Sequence, residues 1–168
     1  MASSNSFDVT TGVDMMEVQN AVEQATKEIS QRYDFKGLKV GLELDAKAKT
    51  ITLTAPDEHR ATAVWDVLQS KMVKRKVPLK NLKPGKTETA ASNTVRQVIS
   101  IQDGLTQEQA KEVVRYLKDA KLKKVQASIN AETVRVSGPD KDELQGVIAF
   151  LKEHDFGVEL KFGNYRSN

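Results

Sequence analysis

The chain has 168 residues, 39% of them hydrophobic, which is room for one ordinary domain or two small ones with real cores and excludes a disordered chain. A net charge of +3 permits a polyanionic partner without requiring one, so the placement of the charges decides. The absence of cysteine excludes disulfides, thiolate chemistry and cysteine-held metals, and no run is long and apolar enough for a signal peptide or a membrane span; the expectation is a cytoplasmic protein with no membrane partner.

The first expected element is a strand, "SFDVT" at 6–10. Val18, Ala21, Val22 and Ala25 then follow the spacing of a helix with one buried face; the stripe extends through Ile29 to Tyr33, and Gly37 suits the turn that follows. Leu38, Val40, Leu42 and Leu44, then Ile51 and Leu53, alternate with period 2 and predict a hairpin of half-buried strands. Helical spacing returns at Ala61, Val64, Trp65 and Leu68, just after Pro56 and Asp57, a pair suited to a helix start. A weaker strand lies in "VPLKNL", within an expected linker at 77–93.

The second half runs in the same order. "VRQVISI" at 95–101 is a strand, and Ala110, Val113, Val114 and Leu117 mark a helix. Val125, Ala127 and Ile129, then Val134 and Val136, form a hairpin. Leu144, Val147, Ile148 and Leu151 mark a helix after Pro139 and Asp140, and "GVELKFG" is a last strand in which Phe162 shares the core parity of Val158 and Leu160.

The two halves are copies. "TITLTAPDE" from Thr50 matches "TVRVSGPDK" from Thr133 at a shift of 83, while the first helices of each half match at a shift of 92. The nine extra residues of the first copy point to a longer helix, a longer hairpin, or both. The order β-α-β-β-α-β, used twice, predicts an α+β protein of duplicated ferredoxin-like domains, each an antiparallel sheet with two helices on one face. The short turns between central strands suit only antiparallel pairs.

The opposite sheet face is polar, carrying Thr50, Thr52, Thr54, Gln126, Ser128 and Arg135 among others, without the central aromatics on which RNA-binding sheets stack bases. Seven Lys or Arg and no acid lie between Lys71 and Lys86, whereas residues 1–30 hold five acids and one Lys; Lys118, Lys121, Lys123 and Lys124 form a second cluster. Both clusters follow helices, where cations complement the helix dipole, and both offer phosphate contacts. Candidate phosphate-binding residues are Arg32, Lys36, Lys74, Arg75, Lys76, Lys121, Lys123, Lys124, Arg135 and Arg166, with Tyr33 or Tyr165 available to stack on a base. In the expected topology Lys121, Lys123 and Lys124 share one edge with Tyr165 and Arg166, while Arg32 and Lys36 lie opposite Lys74 to Lys76. His59 and His154 have no metal-ligand spacing and no nucleophile motif, and "PGKTE" lacks the leading Gly of a phosphate loop, so neither catalysis nor a cofactor is expected.

The segments "SFDV", "EVQNAVEQATKEISQRYDFKG", "LQSKMVKR", "KEVVRYLKDAKLKKVQASI", "VRVSGPDKDELQ" and "FGNYR" together resemble the YajQ family of bacterial proteins over nearly the whole chain. The resemblance implies two ferredoxin-like domains that exchange their leading strands: 12–102 with strand 95–101, and 103–168 with strand 6–10. It also implies a non-enzymatic nucleotide-binding protein, with cyclic-di-GMP or GTP as ligand, tRNA as a further ligand and a transcription factor as partner. Pro139 and Asp140 stand where the family pattern has basic residues, which carries nucleotide binding over more readily than cyclic-di-GMP itself. The competing expectations are a protein-interaction adaptor using the polar sheet face and a non-specific tRNA or RNA binder.

Overall fold

Each helix begins at a residue whose side-chain oxygen accepts from the first turn, where backbone amides have no intrahelical partner. In the computed structural model, which describes residues 4–122 and 124–167, Asp14 caps α1 (Met15–Gln31) and Asp57 caps α2 (Glu58–Lys74). Thr106 caps α3 (Gln107–Asp119) in a reciprocal box with Gln109, and Asp140 caps α4 (Lys141–Lys152). The two aspartates that follow prolines thus start helices where the sequence predicts them.

The strands are β1 (Asn5–Thr10), β2 (Gly41–Asp45), β3 (Thr50–Ala55), β4 (Leu82–Pro84), β5 (Glu88–Ala90), β6 (Thr94–Ile101), β7 (Gln126–Asn130), β8 (Thr133–Gly138) and β9 (Lys161–Ser167). They form two antiparallel sheets, one of order β2-β3-β6-β4 with β5 also on β6, the other of order β7-β8-β1-β9. The chain divides into an N-terminal unit, Val13–Gln102, and a C-terminal unit made of the described residues up to Gly12 and from Asp103 on. Each is α+β in the duplicated ferredoxin-like order. The leading strands are exchanged: β1 lies between β8 and β9 of the C-terminal unit, with Phe7 opposite Val136, and β6 lies against β3 of the N-terminal unit, with Ile99 opposite Ile51.

Most residues of the period-2 and helical stripes are buried; others, among them Leu38, Val40, Leu42, Leu44 and Trp65, are half-buried, and Ile129 is exposed. In the N-terminal unit Val18, Ala21, Val22 and Ala25 of α1 meet Val64 and Leu68 of α2 over Ile51, Leu53 and Ile99. In the C-terminal unit Ala110, Val113 and Leu117 of α3 and Leu144, Val147 and Leu151 of α4 cover Phe7, Val9, Val134 and Val136. Fully burying one such side chain is worth roughly 1.5–3 kcal/mol. Each unit therefore has its own core.

The nine-residue difference between the copies is spread over three places. Four residues lengthen α1, 17 residues against 13 in α3. Three lie in the connection to the next strand, 32–40 against 120–125, and two in the hairpin loop, 46–49 against 131–132. The extra turn of α1 carries Ile29, which is buried, and after it Phe35 closes the core. In the C-terminal unit α3 stops one turn sooner, and Lys121 leaves it with φ 56°, exposed to solvent.

Three expectations need correction. Tyr33 does not close the face of α1: the chain leaves the helix at Arg32, turns through a short 3-10 segment, Tyr33–Phe35, and buries Phe35 (3% exposed) while Tyr33 is 90% exposed. The Arg32 guanidinium, 4.9 Å above the Phe35 ring and forked onto Asp34, holds that turn. The last strand begins at Lys161 and runs to Ser167, later than "GVELKFG", although Val158 is buried and Phe162 packs edge-on to Phe7. Residues 82–90 are less a linker than the broken edge strand β4 and β5, interrupted where Gly85 donates to the Val98 carbonyl. Asn81, buried, pins this edge by donating to the Gln102 carbonyl at 2.9 Å.

Between α3 and α4 the C-terminal unit has aromatic rings instead of an interlocked pair of helices. Tyr116 stacks on Phe150 at 4.5 Å and on His154 at 4.7 Å, with Phe156 edge-on to both Tyr116 and His154. His154 Nε2 lies 3.0 Å from a Glu112 carboxylate oxygen. The histidine is part of this packing.

Candidate functional site

Two basic residues of the N-terminal unit, Lys71 and Arg75, are matched by acids of α1 that lie far away in sequence. Lys71 Nζ donates to Glu28 at 2.9 Å, and Glu28 also lies 4.0 Å from Arg32. Arg75 is 3.7 Å from Glu17. Arg32 donates from Nε and Nη2 to the two oxygens of Asp34, at 3.0 and 2.7 Å, the planar fork that suits a carboxylate. Its hydrogen bonds hold the Asp34 carboxyl below the usual range, as the Lys71 hydrogen bond does for Glu28. Arg32 and Arg75 are thus already engaged by carboxylates, while Lys36, Lys74 and Lys76 are exposed. Gly41 opposite Thr54 and α2 beginning after Ala55 run the two helices in opposite directions over the sheet, while the Lys71–Glu28 contact ties their last turns together.

The C-terminal unit arranges its cations differently. Asn5 pairs with Gly138 and with Ser167, and Gln126 with Ser137, so the starts of β1 and β7 and the ends of β8 and β9 share one end of the sheet. Lys121 and Lys124 precede β7 at this end, and Tyr165 and Arg166 close β9 there. Lys123 lies outside the described residues. Among the described residues, no carboxylate pairs with Lys121 or Lys124.

Two separate concavities flank the first turns of α4 at this end. The larger, about 610 Å³, lies between the α3–β7 connection and α4. Leu122, Val125, Val147 and Phe150 give it apolar walls, Lys121, Lys124 and Glu143 stand among its lining, and Gly146 opens one side. The smaller, about 220 Å³, joins Tyr165 and Arg166 to Phe7, Lys141 and Gln145. A bulge shapes it: Asn164 and Tyr165 stand opposite the single residue Phe7, Asn164 takes φ 52°, and the Tyr165 ring comes within 6.2 Å of Phe7. Tyr165 remains 59% exposed. The connection also borders a groove of about 500 Å³ against α3, where Lys118 joins Lys121.

Arg135 lies elsewhere, on the outer sheet face, with Nε 3.3 Å from Asp8, whose other oxygen accepts from Asn164 at 2.7 Å. It is committed to that polar cluster. Gly85 and Lys86 of "PGKTE" belong to the sheet edge and precede no helix, which removes the phosphate-loop geometry. Gly146, Phe150 and Lys141 were not among the residues singled out from sequence. A glycine inside an otherwise apolar helical stripe, "LQGVIAFL", was the available signal. Among the described residues no cluster of three His, Asp or Glu could hold a metal ion, and no helix is long and apolar enough to cross a membrane.

Comparison with known proteins adds a family. A model of the family described as "Nucleotide-binding protein YajQ-like" matches residues 5–166. A nucleotide-binding protein of Koribacter versatilis is 52% identical over 166 residues, covering 99% of both chains. One of Carboxydothermus hydrogenoformans is also 52% identical over 166 residues, covering 99% of this chain and all of its own, and one of Solibacter usitatus is 49% identical over 164 residues, 98% of each.

Proposed function

The chain belongs to the YajQ-like family, and from that premise we propose that it binds a nucleotide without transforming it, holding the phosphates at the lysine-rich end of the C-terminal unit. The observation that carries this reading is the contrast between the units. Acids of α1 and Asp34 engage Lys71, Arg75 and Arg32 and leave Lys36, Lys74 and Lys76 exposed, whereas Lys121 and Lys124 rim an apolar concavity. Exposed ammonium groups beside apolar walls suit a ligand with phosphate at one end and a flat apolar body at the other. Arg166 and Lys141, beside the Tyr165 ring, offer a secondary contact for a second phosphate or a longer polyanion. Lys123, next in sequence to Lys124, belongs to the same proposed cluster.

The relatives are named for nucleotide binding, and that supports the ligand class. GTP and cyclic-di-GMP are the ligands to try first, with tRNA distinguishing a small-molecule site from non-specific RNA binding. Titration of the full chain with each, at low and high salt, tests the proposal. Phosphate-driven binding weakens steeply as salt rises, and affinity that stays flat rejects the lysines as its source.

A further inference from the structure

We infer that the concavity between the α3–β7 connection and α4 takes the base of the nucleotide, with its phosphates on Lys121 and Lys124; this rests on the phosphate site proposed above and specifies where the rest of the ligand goes. Gly146 carries the argument. It lies inside α4, where glycine is disfavoured against alanine by about 1 kcal/mol. A side chain there would meet nothing: an ideal Cβ finds no atom within 4 Å. Packing inside the unit does not call for a glycine: Gly146 is exposed, and it lines the concavity.

The N-terminal unit shows the same architecture with the space filled. At the shift of 83 residues Gly146 and Phe150 correspond to Ala63 and Val67 of α2. There the extra turn of α1 brings Ile29, 4% exposed, into the core, and the Lys71–Glu28 pair ties the helices together. In the C-terminal unit α3 lacks that turn, and Lys121 stands at the position of Ile29. The remaining volume of about 610 Å³ is in the size range of small-ligand sites. Its apolar walls, among them Phe150 whose ring also stacks on Tyr116, suit a flat ring. Glu143, also in the lining, repels phosphate and can accept from an amino group of the base.

Calorimetric titration of the full chain with GTP, ATP and cyclic-di-GMP, and with inorganic tripolyphosphate as the base-free control, tests the inference. At least one nucleotide should bind wild type about tenfold or more tighter than tripolyphosphate. Gly146→Ala, which places a methyl group in the slot, should narrow that margin. Gly146→Phe should bring the nucleotide to the tripolyphosphate level while leaving tripolyphosphate itself unchanged, and Gly146→Gln, a smaller plug, serves if Gly146→Phe fails to fold by circular dichroism. Nucleotide binding that survives in the folded plugged variant overturns the base slot and leaves the phosphate site standing. Equal affinity of wild type for nucleotide and tripolyphosphate also overturns the slot. If no nucleotide binds wild type, the phosphate reading fails and the slot with it.

Discussion

Lys71 of α2 donates to Glu28 of α1 at 2.9 Å, joining the basic stretch after residue 70 to the acidic first helix. That hydrogen bond is the largest influence holding the Glu28 carboxyl below its ordinary value of 4.5. A carboxylate whose pKa is lowered by folding contributes stability above the unfolded value, and the contribution disappears as pH falls through the folded value. With Glu28 about 40% exposed, solvent screening keeps the contribution small, about 0.5 kcal/mol. Glu28→Gln should lower the urea midpoint of the N-terminal unit at neutral pH, and the difference from wild type should vanish well below pH 4.5. A deficit that persists in acid would assign the effect to packing.

Tyr33 should behave oppositely to its expectation from periodicity, and Phe35 should take the buried role. Phe35→Ala removes a buried ring and should cost about 3 kcal/mol in thermal or urea unfolding. Tyr33→Ala, at an exposed position, should stay within about 0.5 kcal/mol of wild type.

Tyr116 holds the rings between α3 and α4. Tyr116→Ala removes its stacking with both Phe150 and His154 and should destabilise the C-terminal unit by about 2 kcal/mol. Upfield-shifted ring protons of His154 in the wild type, moving toward ordinary positions in the variant, would check the cause.

Gly146→Ala should raise the stability of the C-terminal unit by about 0.5–1 kcal/mol, because α4 gains helix propensity and the new methyl group meets no atom. A loss of stability would mean that the glycine is required by the fold, and would remove the reason for treating its space as ligand space.

Much of the fold was legible because period 2 and period 3.6 report directly on burial. The stripes of Val18 to Ala25 and of Leu144 to Leu151 are core as expected, and the aspartates after Pro56 and Pro139 start helices. The stripe continued to Tyr33 failed because the helix ended two residues earlier, and a 3-10 turn moves the inward position to Phe35. The edge strand at 82–90 was faint because its exposed Lys83, Pro84 and Lys86 interrupt alternation, and Pro84 lacks the donor a central strand needs. The charge runs were visible, but their pairing was not: Glu28 and Lys71 are 43 positions apart and meet only when α1 packs on α2. The nine-residue difference between the copies was legible as a number. Its consequence, an open concavity where the other unit has a helical turn, depends on where those residues fall.

The central claim is that phosphate is held by the C-terminal unit and not by the basic stretch of the N-terminal unit. The most direct measurement compares nucleotide affinity, at low salt, of two charge-reversed chains: Lys121→Glu with Lys124→Glu, and Lys74→Glu with Arg75→Glu and Lys76→Glu. The first pair should abolish measurable binding and with it the salt dependence, while the second set should leave affinity within about threefold of wild type. Binding that survives the first pair and is lost with the second would contradict the account.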